Sequence, residues 1–479
     1  MPDNGTVPLA ILWDCIRWDK IESEVYRIQT RIVKYLKQGK LWLVKKLQRL
    51  LRNSYHAILL AIKRVTSNKG KNTAGVDGKV IRTSEQKIRI ARIIKHQRRY
   101  RALPLRRTLI PKKNGKMRPL GIPTIHDRIM QAIHLIALVP VAEHTADKNS
   151  YGFRPKRSTA DAIQNCFLAL CRKKCAKWVL EGDIKGCFDN ISHRWLIDNV
   201  PTDKRILERW LRSGFIFKKK LFRTEAGTPQ GGIISPVIAN MALDGLEEVL
   251  KQKFKGCKVN YTRYADDFVI TGATKELLEN EVKPIVVRFL AERGLILSNE
   301  KTVVTHIDDG FDFLGFNMRN YKGKVLTKPS KAGIASALKK IKIIIKNNSQ
   351  AKQENLIRLL NPVIRGWGNY YSHVVSKDVF TYIHSKIILM LMKWALRRHS
   401  GKSKRWVYEK YFGNVGNRNW VFKSGNVELV EMAKIPIIRH IKIKKDANPF
   451  DTDYGEYFRK RSDYHLFKDK TNVYWEDRE

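Results

Sequence analysis

Asp266 and Asp267 lie side by side in Tyr264-Ala265-Asp266-Asp267, between the β-rich runs Val259-Asn260-Tyr261 and Phe268-Val269-Ile270. Adjacent acids repel each other, and neither can be desolvated cheaply. An exposed turn is the usual setting for Asp-Asp, but burying strands on both sides weaken that reading here. A divalent cation would relieve the repulsion. Asp183 has the same design: it follows Trp178-Val179-Leu180 at the end of a strand, with Phe188 five residues on. Hard oxygen donors at two strand ends suit two Mg²⁺ ions. Such a pair stabilises both the attacking and the leaving oxygen of an in-line phosphoryl displacement on a nucleoside triphosphate.

Strands and turns must hold these acids. Residues 177–185 read as a buried strand, 259–271 as a hairpin with the acids at its turn, and 108–125 as two strands joined by a basic turn at Asn114-Gly115. Apolar residues at helical spacing predict helix over about 20–65, 126–146, 158–176, 235–255 and 275–293, with short strands following to about 327. Residues 66–80 form a glycine-marked loop. From 331 to 412 the pattern is helical and basic, with Trp367, Tyr370, Tyr371, Trp394, Trp406 and Tyr408 interleaved. IPIIRHIKIKK at 435–445 reads as a strand with a basic face. Asp189 is expected to cap the next helix, His193 to be structural, and Asp244 to lie outside the reactive core. Cys171 and Cys175, at helical spacing, read as packed thiols. With no C-x-x-C pair in the chain, a zinc ribbon is not expected.

The charge balance names the class of partner. Across 479 residues, 93 Lys and Arg face 45 Asp and Glu, a formal charge of +48 and a pI near 10.1. That excess repels itself unless a polyanion relieves it. Nucleic acid fits better than an anionic membrane: mean hydropathy is −0.39, and the sequence offers no run of about 20 apolar residues. Within 20–65, Lys37, Lys40, Lys45, Lys46, Arg49 and Arg52 share a stretch free of acids. Surface helices ordinarily pair such charges, so this stretch reads as a nucleic-acid face. No targeting segment is read at the N-terminus, so a cytoplasmic location is expected.

Seven blocks in order carry a family resemblance. They are Arg118-Pro119-Leu120-Gly121-Ile122-Pro123, Ser150-Tyr151-Gly152-Phe153-Arg154-Pro155, Gly182-Asp183-Ile184-Lys185-Gly186-Cys187-Phe188-Asp189, and Gly227-Thr228-Pro229-Gln230-Gly231-Gly232. Tyr264-Ala265-Asp266-Asp267, Asn299-Glu300-Lys301-Thr302 and Phe313-Leu314-Gly315-Phe316 complete them. Spanning roughly 70–320, the chain resembles the group II intron-encoded reverse transcriptases. The resemblance implies an α+β right-hand polymerase, with fingers and palm built on antiparallel sheet and a helical thumb or maturase domain behind. It implies Asp183, Asp266 and Asp267 as metal-binding acids, together with the Ile184 carbonyl, and two Mg²⁺ ions. Lys112 and Arg118 would hold the incoming deoxynucleoside triphosphate, Gln230 would support nucleotide and template, and Phe188 would stack under the sugar. Lys301 would lie near the triphosphate. Cys187 departs from the aromatic residue frequent there, which touches the shape of the sugar pocket.

Retron, diversity-generating and CRISPR-linked enzymes share these blocks, so the flanks must choose. Leu360-Asn361-Pro362-Val363-Ile364-Arg365-Gly366-Trp367-Gly368-Asn369-Tyr370-Tyr371-Ser372-His373 resembles the start of the maturase domain, and Lys393 to His399 continues it. The expected organisation is an N-terminal basic helical extension (1–65), fingers and palm (66–328), thumb and maturase domain (329–412) and a DNA-binding-like tail (413–479). With no cysteine after 413, no HNH nuclease is expected. The implied partners are group II intron RNA and target DNA. RNA would meet Lys45, Lys46 and Arg49, and Arg397, Arg398, Lys402, Lys404 and Arg405. The alternative from another class is an RNA-binding maturase with a decayed polymerase.

Overall fold

The computed structural model describes residues 9–474, apart from 98, 112–114, 116 and 417. The chain forms two compact units: residues 1–158, 180–304 and 444–456, and residues 159–179, 305–443 and 457–479.

In the first unit the helix expected over 20–65 breaks into Trp18–Lys37, Leu41–Asn53 and Tyr55–Ser67. Gly39 takes φ 69° at the first break, a left-handed conformation that glycine adopts without penalty and that a right-handed helix cannot continue. Ile32, Val44, Leu47 and Leu51 then share a core with Val141 of the helix Ile125–Thr145. On its other side Ile129 and Ile133 pack with Ile58, Ile62 and Val65. This explains why Ile125–Thr145 is buried on nearly every side, Asp127, Arg128, Gln131 and His134 included. Against expectation, two helices are long and apolar enough to cross a bilayer by length and composition, Ile125–Thr145 and Lys377–Arg398. The first is mostly buried in protein, and the second exposes Lys386 and Lys393 on one face. The helix expected over 235–255 is likewise cut, into Ser235–Leu243 and Leu246–Lys253, by Gly245 at φ 100°.

Its strands are, in chain order, β1 (Leu105–Pro111), β2 (Met117–Ile122), β3 (Trp178–Asp183), β4 (Phe215–Phe217), β5 (Lys220–Phe222), β6 (Asn260–Tyr264), β7 (Asp267–Gly272) and β8 (Val303–His306). They form two four-stranded sheets, ordered β2-β1-β4-β5 and β6-β7-β3-β8. The β1–β2 and β6–β7 pairs are the antiparallel hairpins the alternation predicts, with Ile110 opposite Arg118 and Tyr264 opposite Asp267.

The second unit carries β9 (Phe311–Phe313), β10 (Phe316–Tyr321) and β11 (Lys324–Pro329) as an antiparallel sheet ordered β11-β10-β9. The helices Lys331–Asn347, Gln353–Tyr371, Lys377–Arg398 and Lys404–Tyr411 follow, then β12 (Phe412–Val415), β13 (Arg418–Ser424) and β14 (Val427–Glu428). Two sequence blocks meet here: Tyr370 and Tyr371 donate their hydroxyls to the Leu314 and Gly315 carbonyls, at 2.9 and 3.0 Å.

The helix expected over 158–176 ends at Leu170. Cys171 and Cys175 lie in the turn beyond it, both thiols 3.9 Å from the Leu168 carbonyl oxygen. Nor do residues 435–445 form a strand. Their polar groups find other partners, as buried backbone must. The Ile438 N–H donates to the Ser372 carbonyl (2.8 Å), and the Ile443 N–H donates to the Asp161 carboxylate (2.7 Å). His440 Nε2 stands 2.8 Å from the same Asp161 oxygen, and Arg461 Nη2 3.0 Å from it.

Burial alone would push the Asp161 carboxyl up. The His440 hydrogen bond and charge, the Ile443 N–H and the Arg461 charge outweigh it and hold Asp161 at about 2. A depressed carboxylate stabilises the fold above its unfolded value of 3.8 and loses that contribution as pH falls through about 2. Asp161→Ala should therefore cost about 3–5 kcal/mol at neutral pH in urea melts, and the deficit should shrink as pH falls through that window. A variant as stable as the parent at neutral pH would show that Asp161 does not anchor this segment.

Candidate active site

β3 ends in Asp183, and the turn from β6 to β7 carries Ala265 and Asp266 into Asp267. Because β7 and β3 are neighbours in the sheet, the three acids leave it on adjacent strands. Glycine permits the approach: a Cβ on Gly182 would lie 2.2 Å from the Phe268 ring.

The turn is held from behind. Ala265 takes φ 58°, a conformation in which a non-glycine residue needs support. Fully buried Arg263 donates Nη1 to the Ala265 carbonyl (3.3 Å) and to Asn240 Oδ1 (3.0 Å), while its Nη2 pairs with Asp244. Asn240 Nδ2 in turn donates to the Gly152 carbonyl at 2.7 Å. Gly152 comes so close that a Cβ there would stand 2.3 Å from the Ala265 nitrogen. Sequence reasoning passed over Arg263 and Asn240 and set Asp244 aside. Asp244 does lie behind the turn, where it balances the Arg263 charge. The available signal was an arginine inside a strand of burying residues.

Electrostatics tie the acids together. Burial pushes the Asp266 carboxyl up, the Asp183 charge adds to this, and Arg118 and Lys301 pull it back. Asp267 is exposed as a residue, yet protein crowds its carboxyl, and with the charges of Asp266 and Asp183 this lifts it to about 6. Burial and then the Asp266 charge push the Cys187 thiol up to about 12, so it is an inert wall of the site. Lys301 Nζ reaches the Asp183 carboxylate at 2.7 Å. The segment before it runs beside β3: the Lys185 N–H donates to Ile296, the Ser298 N–H to Asp183, and buried Ile184 bridges to Leu297.

The other expected residues fall as follows. Arg118 sits on the exposed start of β2, near enough for its charge to act on Asp266. Lys112 lies outside the described residues. Gln230 accepts the Gly121 N–H through its carbonyl at 2.8 Å, which ties the Pro-Gln-Gly turn to β2. Phe188 is half-buried, edge-on to exposed Phe153 at 6.3 Å, and its carbonyl accepts the Thr228 N–H. The resemblance attaches no role to Phe153. Asp189 does not cap the next helix; Ser192 does, accepting the Trp195 N–H at 3.3 Å, because it directly precedes the first turn. His193 is buried, its Nε2 2.8 Å from the Gly227 carbonyl oxygen.

Residues 110–318 match the family described as reverse transcriptase (RNA-dependent DNA polymerase). Residues 13–94 match the N-terminal domain of reverse transcriptase, and 334–412 the group II intron maturase-specific domain. Protein YkfC of Escherichia coli is 36% identical, over 57% of this chain and 83% of that protein. Group II intron-encoded protein LtrA of Lactococcus lactis subsp. cremoris is 28% identical, over 71% of this chain and 73% of that one. The chain belongs to the group II intron-encoded reverse transcriptase and maturase family. Reverse transcriptases are nucleotidyltransferases that generally use divalent metal ions. In this reverse transcriptase the mutually repelling carboxylates are the hard oxygen donors such ions select. Among the described residues, however, no three His, Cys, Asp or Glu side chains stand at metal-cluster spacing, and Asp183 is drawn to Lys301 instead.

Of the basic residues expected to meet RNA, Lys45, Lys46 and Arg49 are exposed on Leu41–Asn53, beside Trp42. Arg397, Lys402, Lys404 and Arg405 are exposed in the maturase-domain region, with Arg405 paired to Glu409 at 3.0 Å. Arg398 is committed elsewhere. It donates to the Ser349 and Ala351 carbonyls, both at 2.9 Å, and lies 4.6 Å from the Trp394 ring.

Gly152→Ala tests the support of the turn. Its methyl would meet backbone, so the turn must move, at about 1–3 kcal/mol of overpacking. Primer extension should fall at least tenfold in a protein that still binds RNA. Parental extension rates would mean the turn has slack.

Proposed function

We propose that this protein is an active RNA-directed DNA polymerase that also assists splicing of its group II intron RNA. Retrohoming by target-primed reverse transcription would follow, with target DNA and deoxynucleoside triphosphates as further partners. Its setting would be a cytoplasmic ribonucleoprotein. The observation that carries the reading is the survival of three neighbouring acids, Asp183, Asp266 and Asp267, where burial together with the Asp266 and Asp183 charges lifts Asp267 to about 6. A decayed polymerase has no physical reason to keep such a cluster, because the charges cost stability when ionised.

Asp183, Asp266, Asp267 and the Ile184 carbonyl would hold two Mg²⁺ ions. When bound, these would neutralise the acids and stabilise the attacking and leaving oxygens. Arg118, on β2, and Lys112, which lies between β1 and β2 in sequence, would clamp the triphosphate. Lys301, already beside Asp183, would lie near it as a proton donor. Phe188 would close the sugar pocket against a 2′-hydroxyl, and Gln230 would support nucleotide and template. For splicing, catalysis lies in the intron RNA, so the protein helps by binding the active fold better than misfolded ones.

Asp266→Ala or Asp267→Ala should abolish cDNA synthesis on a primed RNA template while RNA binding persists. Near-normal extension by either variant would sink the site. Phe188→Ala should raise ribonucleotide relative to deoxynucleotide incorporation, and an unchanged ratio would remove Phe188 from the pocket. For splicing, Arg397, Lys402, Lys404 and Arg405 replaced together by Ala should raise the Mg²⁺ required, with a smaller loss of generic primer extension. Arg398 is left intact because it supports the fold. Splicing assistance that survives while extension collapses would assign this surface to the polymerase grip.

A further inference from the structure

Trp420 is turned out of the face its strand position assigns it. Phe422, two residues on in β13, is fully buried, so simple alternation would bury Trp420 on the same face. Instead Trp420 is 51% exposed. Two departures from regular sheet accomplish this. The β12–β13 register shifts between Gly413 and Val415, and Trp420 itself takes φ 65°. A bulge can re-aim a side chain, and a bulky residue in the left-handed region is strained unless its surroundings hold it there.

The surroundings do hold it. Tyr408 packs on Trp420 with ring centroids 4.4 Å apart, and Phe412 lies 6.0 Å away. Tyr408 is parallel to Phe412, whose ring packs in turn on buried Phe422 at 5.2 Å. The exposed indole therefore stands on a footing that runs down into the core. Lysines stand beside this footing. Lys404 is exposed one helical turn before Tyr408, on the same face of its helix, and Lys423 Nζ donates to the carbonyl of Asn414, whose side-chain oxygen accepts the Tyr408 hydroxyl at 3.3 Å.

Folding gains nothing from exposing a strained tryptophan. An unpaired base gains a π-face to stack on, and its flanking phosphates gain cations. We infer that Trp420, seated on Tyr408 with Lys404 and Lys423 on the elements that hold it, is a stacking platform for an unpaired base of RNA. The platform extends past residue 412, where the maturase-specific match ends. The inference rests on the RNA-binding reading above.

The test uses the full chain, a single-stranded oligouridylate, an RNA duplex with the same number of phosphates, and oligothymidylate, with affinities measured at fixed salt. Trp420→Gly should bind oligouridylate roughly tenfold more weakly, while Trp420→Phe keeps most of the affinity and duplex binding is unchanged. Glycine accepts φ 65° freely, so Trp420→Gly should melt no lower than the parent. If it does melt lower, Trp420→Asn, which also tolerates that region, replaces it. Parental oligouridylate affinity in a folded variant overturns the platform alone. So does an equal loss on the duplex, or a loss confined to oligothymidylate. A parent protein that binds none of the RNAs overturns the RNA-binding reading as well.

Discussion

Three carboxylates near enough for their charges to act on one another are the constraint around which the first unit is organised. Burial and the Asp183 charge raise the proton affinity of Asp266, and burial with the Asp266 and Asp183 charges raises that of Asp267. Left to themselves they would spread apart. Two close contacts stop this, each requiring glycine: Gly182 under the Phe268 ring and Gly152 against the Ala265 backbone. Cations make the crowding tolerable, with Lys301 on Asp183 and the Arg118 charge acting on Asp266. The fold thus holds a repulsive arrangement by leaving its backbone no room to relax, which is what a preorganised site requires.

That rigidity has its own electrostatic requirement. Arg263 is fully buried, and a lone buried guanidinium would be prohibitive. Asp244, Asn240 and the Ala265 carbonyl together satisfy its Nη groups. Removing any one partner leaves charge or donors stranded, so the network acts as a unit, whereas a hydrophobic replacement could not reach the Ala265 carbonyl at all.

The acids were legible in the sequence because their chemistry is local: Asp-Asp between two alternating runs is a hairpin turn with a charge problem. The support was not legible, because Arg263, Asn240 and Gly152 meet only through tertiary folding. Periodicity also misled where two causes produce one pattern. Residues 435–445 alternate like a strand in sequence, yet burial follows anchoring instead of that period, with Ile435, His440 and Ile443 inward and Ile437 and Ile441 outward. Charge misled in the same way at Arg398, whose guanidinium serves the Ser349 and Ala351 carbonyls. Gly39 and Gly245 were visible as glycines, but their left-handed φ, which cuts the helices, is a property of the folded chain.

The basic excess takes on a different meaning once the acids are located. Several of the 45 Asp and Glu residues are spent inside the protein. Glu143 pairs with Arg154 at 2.9 Å, Glu247 accepts from Asn149 at 2.7 Å, and Asp127 accepts from Tyr100 at 2.5 Å. Asp161 and Asp244 are held as described above, and Asp183, Asp266 and Asp267 are gathered at one site. Buried Glu143 and Asp244 balance buried Arg154 and Arg263, so the formal +48 falls mainly on exposed Lys and Arg. Compactness then works against the chain's own charge, and a polyphosphate that condenses on it relieves the repulsion while releasing its counterions. RNA binding and the stability of this protein are therefore coupled through the same surface charges.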